Sequence, residues 1–174
     1  METWIRRDAL YDGKIVQLYT GEVQLDDGTT AFREVVEHNG GVGIVPFLGD
    51  SVVFVRQYRI AVEQYTLEIP AGKLEGDESP EARGRVELEE ETGYRAGRVE
   101  SCGYFYPSPG CFSEKLYIYL AFDLEKGEQN LEVDERIELV ELSLDEVRGR
   151  LARHEFMDGK TIIGLHALLL RIGT

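Results

Sequence analysis

The chain has 174 residues, 43% of them hydrophobic, which suits a single globular unit with a sizeable core. Its 19 basic and 33 acidic residues give a formal net charge of −14, which argues against nucleic acid and anionic membranes as partners; a polyanionic substrate would need metal ions or placed arginines. No apolar run approaches the roughly 20 residues that span a bilayer, and the first 14 residues lack the apolar region of a secretory signal, so we expect a cytoplasmic protein.

The first forty residues carry two strand-like segments, at residues 14–25 and 30–38. Asp27 and Gly28 lie between them, and an Asp-Gly pair is a strong signal for a hairpin turn. We therefore predict an antiparallel β lead-in over residues 1–40, followed by the main domain over residues 41–174.

Two apolar, β-branched segments follow, at residues 41–48 and 51–60, with only Gly49 and Asp50 between them. Such a pair with a two-residue connection is typical of a buried β-hairpin. Residues 65–70 predict another short strand, which ends at Pro70.

A helix of about three turns is predicted from Pro80 to Thr92. Ser79 is a candidate N-cap, proline is favoured at the first helical position, and Gly93 is the residue type that commonly ends a helix in the left-handed conformation.

The remainder of the chain alternates strands with helices. Ser143 and Glu146 have the spacing of a capping box, which predicts a helix from there to about His154. Strands on both sides of the central helix, closed by a terminal helix, predict an α/β sandwich with a mixed sheet. The strands are predicted at residues 98–107, 115–124 and 136–142, and the final helix at residues 159–173.

Three glutamates of the central helix are spaced to share one face. Glu87, Glu90 and Glu91 fall within an arc of roughly 100°, and like charges so close repel one another. A solvated acidic surface is one interpretation. The other is a magnesium platform, because the glycine-containing turn at residues 72–77 precedes the helix and Mg²⁺ prefers carboxylate oxygens together with substrate phosphates.

Residues 72–94 resemble the Nudix box, a motif of fixed spacing that carries the catalytic glutamates of the Nudix hydrolase family. The resemblance implies the Nudix α/β/α sandwich and divalent metal chemistry. Of nine defined positions eight match, and the ninth has Val86 where the motif has arginine. The matching residues are Gly72, Glu78, Glu87, Leu88, Glu90, Glu91, Gly93 and Tyr94.

In the family the box arginine is understood to hold the glutamates through charge-assisted hydrogen bonds. Arg85 is adjacent to Val86 but projects about 100° away from that position. Arg83 lies four residues before Glu87, on a neighbouring surface of the helix. We therefore hypothesise that Arg83 partly replaces the missing arginine.

Segments outside the box resemble the ADP-ribose pyrophosphatase branch: "VRQYR", "LEIPAGKLE" and Pro109, which stands fifteen residues after Tyr94. This resemblance implies Mg²⁺-dependent hydrolysis of ADP-ribose to AMP and ribose 5-phosphate, with Mn²⁺ as an alternative cation. Pyrophosphatases for other nucleoside diphosphate sugars or dinucleotides share parts of these segments. Val86 leaves open a third possibility, a nucleotide-binding sensor of low activity.

The same resemblance implies roles for individual residues and a homodimer, in which the lead-in of residues 1–40 reaches the partner's site. Arg59 would pair with a phosphate or with the terminal ribose, and Glu135 ranks ahead of Glu114 as the general base. The metal ligands would be the carbonyl of Ala71 with Glu87, Glu90 and Glu91; the other substrate contacts would be Arg33, Glu34, Ser108, Pro109 and Gly110.

Overall fold

The computed structural model describes residues 1–133 and 135–173. The chain divides into two compact units. The first consists of residues 1–40 and 105–115, and the second consists of residues 41–104 and the described residues from 116 onward. Within the described part of the chain, no helix is long and apolar enough to cross a membrane.

The first unit is an antiparallel sheet in the order β1-β2-β3. The predicted hairpin is present, because β2 and β3 pair along their length and the Leu25 N–H donates to the Thr29 carbonyl at 2.9 Å. β1 was not predicted as a separate strand. Its register against β2 shifts twice, which disrupts the alternation of polar and apolar residues that identifies a strand. The strands are β1 (Glu2–Asp12), β2 (Val16–Leu25) and β3 (Thr30–His38).

The second unit contains two sheets. A four-stranded sheet has the order β7-β4-β9-β8, and a three-stranded sheet has the order β10-β5-β6. β4 and β9 run parallel whereas β4 and β7 run antiparallel, so the larger sheet is mixed, as predicted. The strands are β4 (Gly41–Pro46), β5 (Ser51–Arg59), β6 (Gln64–Glu68), β7 (Ala71–Lys73), β8 (Tyr94–Phe105), β9 (Leu116–Lys126) and β10 (Glu138–Ser143).

The prediction that β4 and β5 form a hairpin is wrong, because the two strands belong to different sheets. A turn is present, where the Leu48 N–H donates to the Ser51 carbonyl at 2.9 Å, but only the Phe47–Val52 bridge follows it. β4 pairs with β9 along its whole length, and on the other edge it pairs with β7 and then donates from the Ile44 N–H to the Pro70 carbonyl at 3.0 Å, so little of that edge is left for β5. The two strands therefore diverge into separate sheets.

Three helices complete the second unit; their starts are those that the sequence predicts, and α2 ends at Ala152, two residues before the predicted end. The Ser79 hydroxyl accepts the Ala82 N–H at 3.1 Å, and Gly93 ends the first helix with φ 76°. Ser143 and Glu146 form the predicted capping box. The helices are α1 (Pro80–Thr92), α2 (Leu144–Ala152) and α3 (Gly159–Ile172).

β4 is buried along its whole length because helices cover both of its faces. On one face Val42 and Ile44 pack in a cluster with Leu88 of α1. On the other face, an added Cβ at Gly164 of α3 would lie 2.7 Å from Val45. This arrangement is the predicted α/β/α sandwich, and it holds α1 against the strand that pairs with β7.

Candidate active site

α1 carries two buried carboxylates one turn apart. Glu87 is 5% exposed and Glu91 is 3% exposed. Leu88 anchors the helix in the core, and this places both glutamates beside β7. Burying two like charges in this way is unfavourable unless something compensates them, which distinguishes this helix from a solvated acidic surface.

The Glu87 carboxylate lies against the backbone of Gly72. A Cβ added at Gly72 would come within 1.5 Å of Glu87 Oε1, so only glycine leaves room for this carboxylate. The pKa of Glu87 is raised above its ordinary value, mainly by burial and further by Glu90 and Glu135, while Arg83 opposes the rise.

The Glu91 carboxylate accepts the backbone N–H of Ala71 at 3.0 Å. Burial, followed by repulsion from Glu87, raises the pKa of Glu91 to about 8, although the hydrogen bond from Ala71 acts in the opposite direction. Arg59 also acts to lower this pKa, and it therefore lies within electrostatic reach of Glu91. A carboxyl group with this pKa is largely protonated at neutral pH until a cation compensates its charge.

Arg83 contacts Glu87, as its four-residue spacing predicts, with Nη2 2.5 Å from Oε1. Burial acts to lower the pKa of Arg83, but attraction to Glu87, Glu78 and Glu90 outweighs it and the pKa is raised. Val86 is 41% exposed at the position of the missing arginine. A guanidinium therefore does contact Glu87, but it belongs to a residue about one turn earlier in the helix than the motif position.

The end of α1 is tied to the segment that leads to Glu135. The Asn130 N–H donates to the Glu90 carbonyl at 2.9 Å, and the Gln129 side chain donates to the Glu91 carbonyl at 2.6 Å. Glu90 is half-buried, and so is Glu135. Glu135 contributes to the raised pKa values of both Glu87 and Glu91, so it lies within electrostatic reach of both carboxylates.

Arg59, at the end of β5, forms a two-pronged ion pair with Glu68 of β6. Its Nε and Nη2 atoms each lie 2.8 Å from a carboxylate oxygen. Burial acts to raise the pKa of Glu68, but Arg59, Lys160 and Thr66 outweigh it and lower the pKa to about 2. The sequence analysis predicts a substrate contact for Arg59 but does not single out its partner Glu68 or Lys160. The signal for Glu68 was available, because it is a charged residue within the short strand predicted before the box.

The remaining predicted substrate residues lie in the first unit. Arg33 pairs with Glu2, whose carboxylate lies 2.5 Å from Arg33 Nη2, and Glu34 is exposed on β3 opposite Thr20. Glu114 Oε1 lies 3.6 Å from His38 Nδ1. Ser108, Pro109 and Gly110 form an exposed turn, in which the Ser108 carbonyl accepts the Phe112 N–H at 2.9 Å.

The donor set of the second unit fits a hard divalent cation. Among residues 1–133 and 135–173, no three acidic, histidine or cysteine side chains form a closed cage for one ion. Glu87 is turned toward Arg83 and Glu91 toward the Ala71 N–H. A few carboxylates whose buried charges lack full compensation suit Mg²⁺, which keeps several waters and takes further oxygens from a phosphorylated substrate.

Comparisons with known proteins identify the family. The family model of the NUDIX domain matches residues 37–162. A methanol dehydrogenase activator of Bacillus methanolicus is 38% identical over 173 residues, covering 98% of this chain and 94% of that protein. An ADP-ribose pyrophosphatase of Bacillus subtilis (strain 168) is 35% identical with the same coverage.

Two further similarities widen the comparison. A GDP-mannose pyrophosphatase of Citrobacter koseri is 35% identical over 147 residues, which are 78% of this chain and 76% of that protein. The crystal structure of an ADP compounds hydrolase superimposes with a TM-score of 0.85 at 22% identity, covering 99% of this chain and 96% of the other. The latter match confirms the predicted fold.

The chain belongs to the Nudix family, and the predictions of a Nudix pyrophosphatase and of a resemblance to ADP-ribose pyrophosphatases are confirmed. Nudix hydrolases generally use divalent metal cations, which agrees with the donor set on α1.

Proposed function

We propose that this protein hydrolyses the diphosphate bond of ADP-ribose, giving AMP and ribose 5-phosphate, with Mg²⁺ as cofactor and Mn²⁺ as an alternative. The observation that carries the proposal is the pair of buried carboxylates, Glu87 and Glu91, with Arg59 in electrostatic reach. A carboxylate pair recruits cations and a guanidinium recruits phosphate, so together they favour a diphosphate substrate.

The metal ligands in this proposal are the Ala71 carbonyl and the carboxylates of Glu87, Glu90 and Glu91. When bound, the cations would neutralise the diphosphate and lower the pKa of a bound water. Arg83 holds Glu87 in place, and the Ala71 N–H orients Glu91.

Glu135 is the general base in this proposal. A base must reach the attacking water within hydrogen-bond distance, so it must lie beside the metal ligands. Glu135 influences both Glu87 and Glu91 and belongs to the same unit, which supports its selection over Glu114. Glu135 would accept the proton that the water gives up as it attacks phosphorus.

We also propose a homodimer formed through residues 1–40, in which Arg33 and Glu34 contact substrate bound to the partner subunit. The exposure of several large apolar residues in that sheet, Ile5, Leu10, Tyr11 and Phe32, supports this assembly. Contacts of Ser108, Pro109 and Gly110 with the substrate remain predictions. Cys102 and Cys111 are free thiols, which supports a cytoplasmic enzyme.

A second candidate substrate is another nucleoside diphosphate sugar, because several relatives are named GDP-mannose pyrophosphatases. A third candidate, a sensor that binds nucleotide without turnover, is less well supported. A domain released from catalysis has no need to bury two carboxylates side by side.

The test compares ADP-ribose with ADP-glucose, GDP-mannose, NADH and FAD at saturating Mg²⁺. We expect the highest kcat/KM for ADP-ribose. A higher value for any competitor would transfer the assignment to that substrate. Calorimetry with ADP-ribose runs in parallel, because tight binding without release of AMP would favour the sensor.

A further inference from the structure

Glu68 is a buried carboxylate that the reaction proposed above does not use. Its side chain is 4% exposed and is surrounded by three donors. Arg59 contacts both carboxylate oxygens at 2.8 Å, the Thr66 hydroxyl donates to Oε1 at 2.5 Å, and the Lys160 ammonium contacts Oε2. A carboxylate that accepts hydrogen bonds on both oxygens is fixed in orientation, so it can fix the orientation of the Arg59 guanidinium.

Lys160 reaches this carboxylate from the first turn of α3. Its side chain is 11% exposed and lies between Glu68 and Asp158, whose Oδ2 is 3.0 Å from Nζ. The next residue, Thr161, accepts the Ile69 N–H at 2.8 Å and donates to Asp158 at 2.5 Å. Side-chain and backbone contacts therefore link the start of α3 to the end of β6. β6 ends at Glu68, three residues before Ala71.

We infer that Glu68 and Lys160 are positioning residues that aim the Arg59 guanidinium at the substrate diphosphate. This inference rests on the proposed function, because it requires a phosphorylated substrate beside Glu91.

Glu68 orients the Arg59 guanidinium and leaves one of its nitrogens outside their ion pair. The Arg59 side chain is 43% exposed, and it binds Glu68 through Nε and Nη2, so the pair with Glu68 does not occupy Nη1. Two fixed nitrogens set the plane of the guanidinium, which a substrate then meets without first ordering a long side chain.

Lys160 also changes the charge balance. If Glu68 had Arg59 as its one cationic partner, the carboxylate would neutralise the guanidinium and compete with a phosphate for it. The ammonium of Lys160 also contacts Glu68 Oε2 and neutralises part of the carboxylate charge. Glu68 therefore neutralises Arg59 less completely and competes less with a phosphate for it. Lys160 is nearly buried and faces two carboxylates, so it acts through Arg59 rather than by touching substrate.

A double-mutant cycle tests this inference on the full-length protein. Lys160→Met is made alone and together with Arg59→Ala, and KM and kcat are measured at saturating Mg²⁺. The control is Glu89→Gln, which removes an ion pair with Arg95 on the exposed side of α1. We expect Lys160→Met to raise KM about tenfold, the effect of one weakened charge-assisted hydrogen bond, with a much smaller change in kcat.

The second half of the cycle distinguishes a Lys160 that acts through Arg59 from a Lys160 that contacts the substrate directly. In the Arg59→Ala background, Lys160→Met should change KM less than about twofold, because coupled residues are not additive. An equal effect in both backgrounds, or no effect on KM in either, would overturn the inference. If circular dichroism shows that Lys160→Met is unfolded, the same double-mutant cycle is carried out with Glu68→Gln in its place.

Failure of the proposed function gives a different result. If the wild type prefers another nucleoside diphosphate, the cycle is run on that substrate and the inference is judged there. If the wild type cleaves none, calorimetric affinity for ADP-ribose with Mg²⁺ replaces KM. A wild type that neither cleaves nor binds any of them would overturn both proposals.

Discussion

A side chain at Gly72 would occupy the position of the Glu87 carboxylate, since an added Cβ would lie 1.5 Å from Oε1. We expect Gly72→Ala to displace Glu87 and lower kcat about 100-fold at saturating Mg²⁺, a loss comparable to removing a metal-orienting contact. Steady-state kinetics measure this. Gly149→Ala is the control, because its Cβ would meet only the movable guanidinium of Arg153, at 3.1 Å. Equal activity in the two variants would contradict the role of Gly72.

The ion pair between Arg83 and Glu87 predicts that Arg83→Ala lowers kcat roughly 10- to 100-fold and raises the Mg²⁺ concentration at half-maximal rate. Arg85→Ala is the matched control, because Arg85 pairs with Glu81 and with the Ala96 carbonyl. Adding Val86→Arg to Arg83→Ala should restore part of the activity. Unchanged turnover and metal dependence in Arg83→Ala would reject the role that we assign to Arg83.

The raised pKa of Glu91, about 8, predicts a metal affinity that increases with pH. Glu91 is protonated in the metal-free protein at pH 6 and must ionise to bind a cation, so binding of the cation that it ligates releases a proton. We expect Mg²⁺ affinity to rise about tenfold from pH 6 to pH 7 and to level off above pH 8. Calorimetry in two buffers of different ionisation enthalpy measures the proton release. A pH-independent affinity would be inconsistent with this pKa.

Glu68 predicts a loss of stability in acid. Its pKa falls from 4.5 to about 2 on folding, so its contribution is complete above pH 4.5 and is lost as pH falls toward 2. The difference of about 2.5 pH units corresponds to about 3 kcal/mol. Urea unfolding at several pH values should show a shallower acid slope for Glu68→Gln than for wild type. Parallel slopes would show that other carboxylates account for the acid sensitivity.

Local signals in the sequence predicted the helices well. Ser79, Gly93, Ser143 and Glu146 act within one turn of chain, so their effect on helix ends depends little on the rest of the fold. The clustering of Glu87 and Glu91 was likewise a matter of helical spacing.

Features that depend on pairing between distant segments were not predicted. The separation of β4 from β5 is decided by β9, about seventy residues later in the chain. The contact of Glu68 with Lys160 joins residues 92 positions apart, which no local pattern records. The register shifts of β1 had a further effect, because they disrupted the strand's own periodicity.

The placement of Arg83 affects how related chains are recognised from their sequences. A search pattern that demands arginine immediately before Glu87 would reject this chain, although a guanidinium does contact Glu87. Positions three residues apart lie on adjacent turns, so a long side chain can serve the same carboxylate from either position. Substitutions at residues 83 and 86 are therefore informative only when considered together, and two chains that differ at both can retain the same contact.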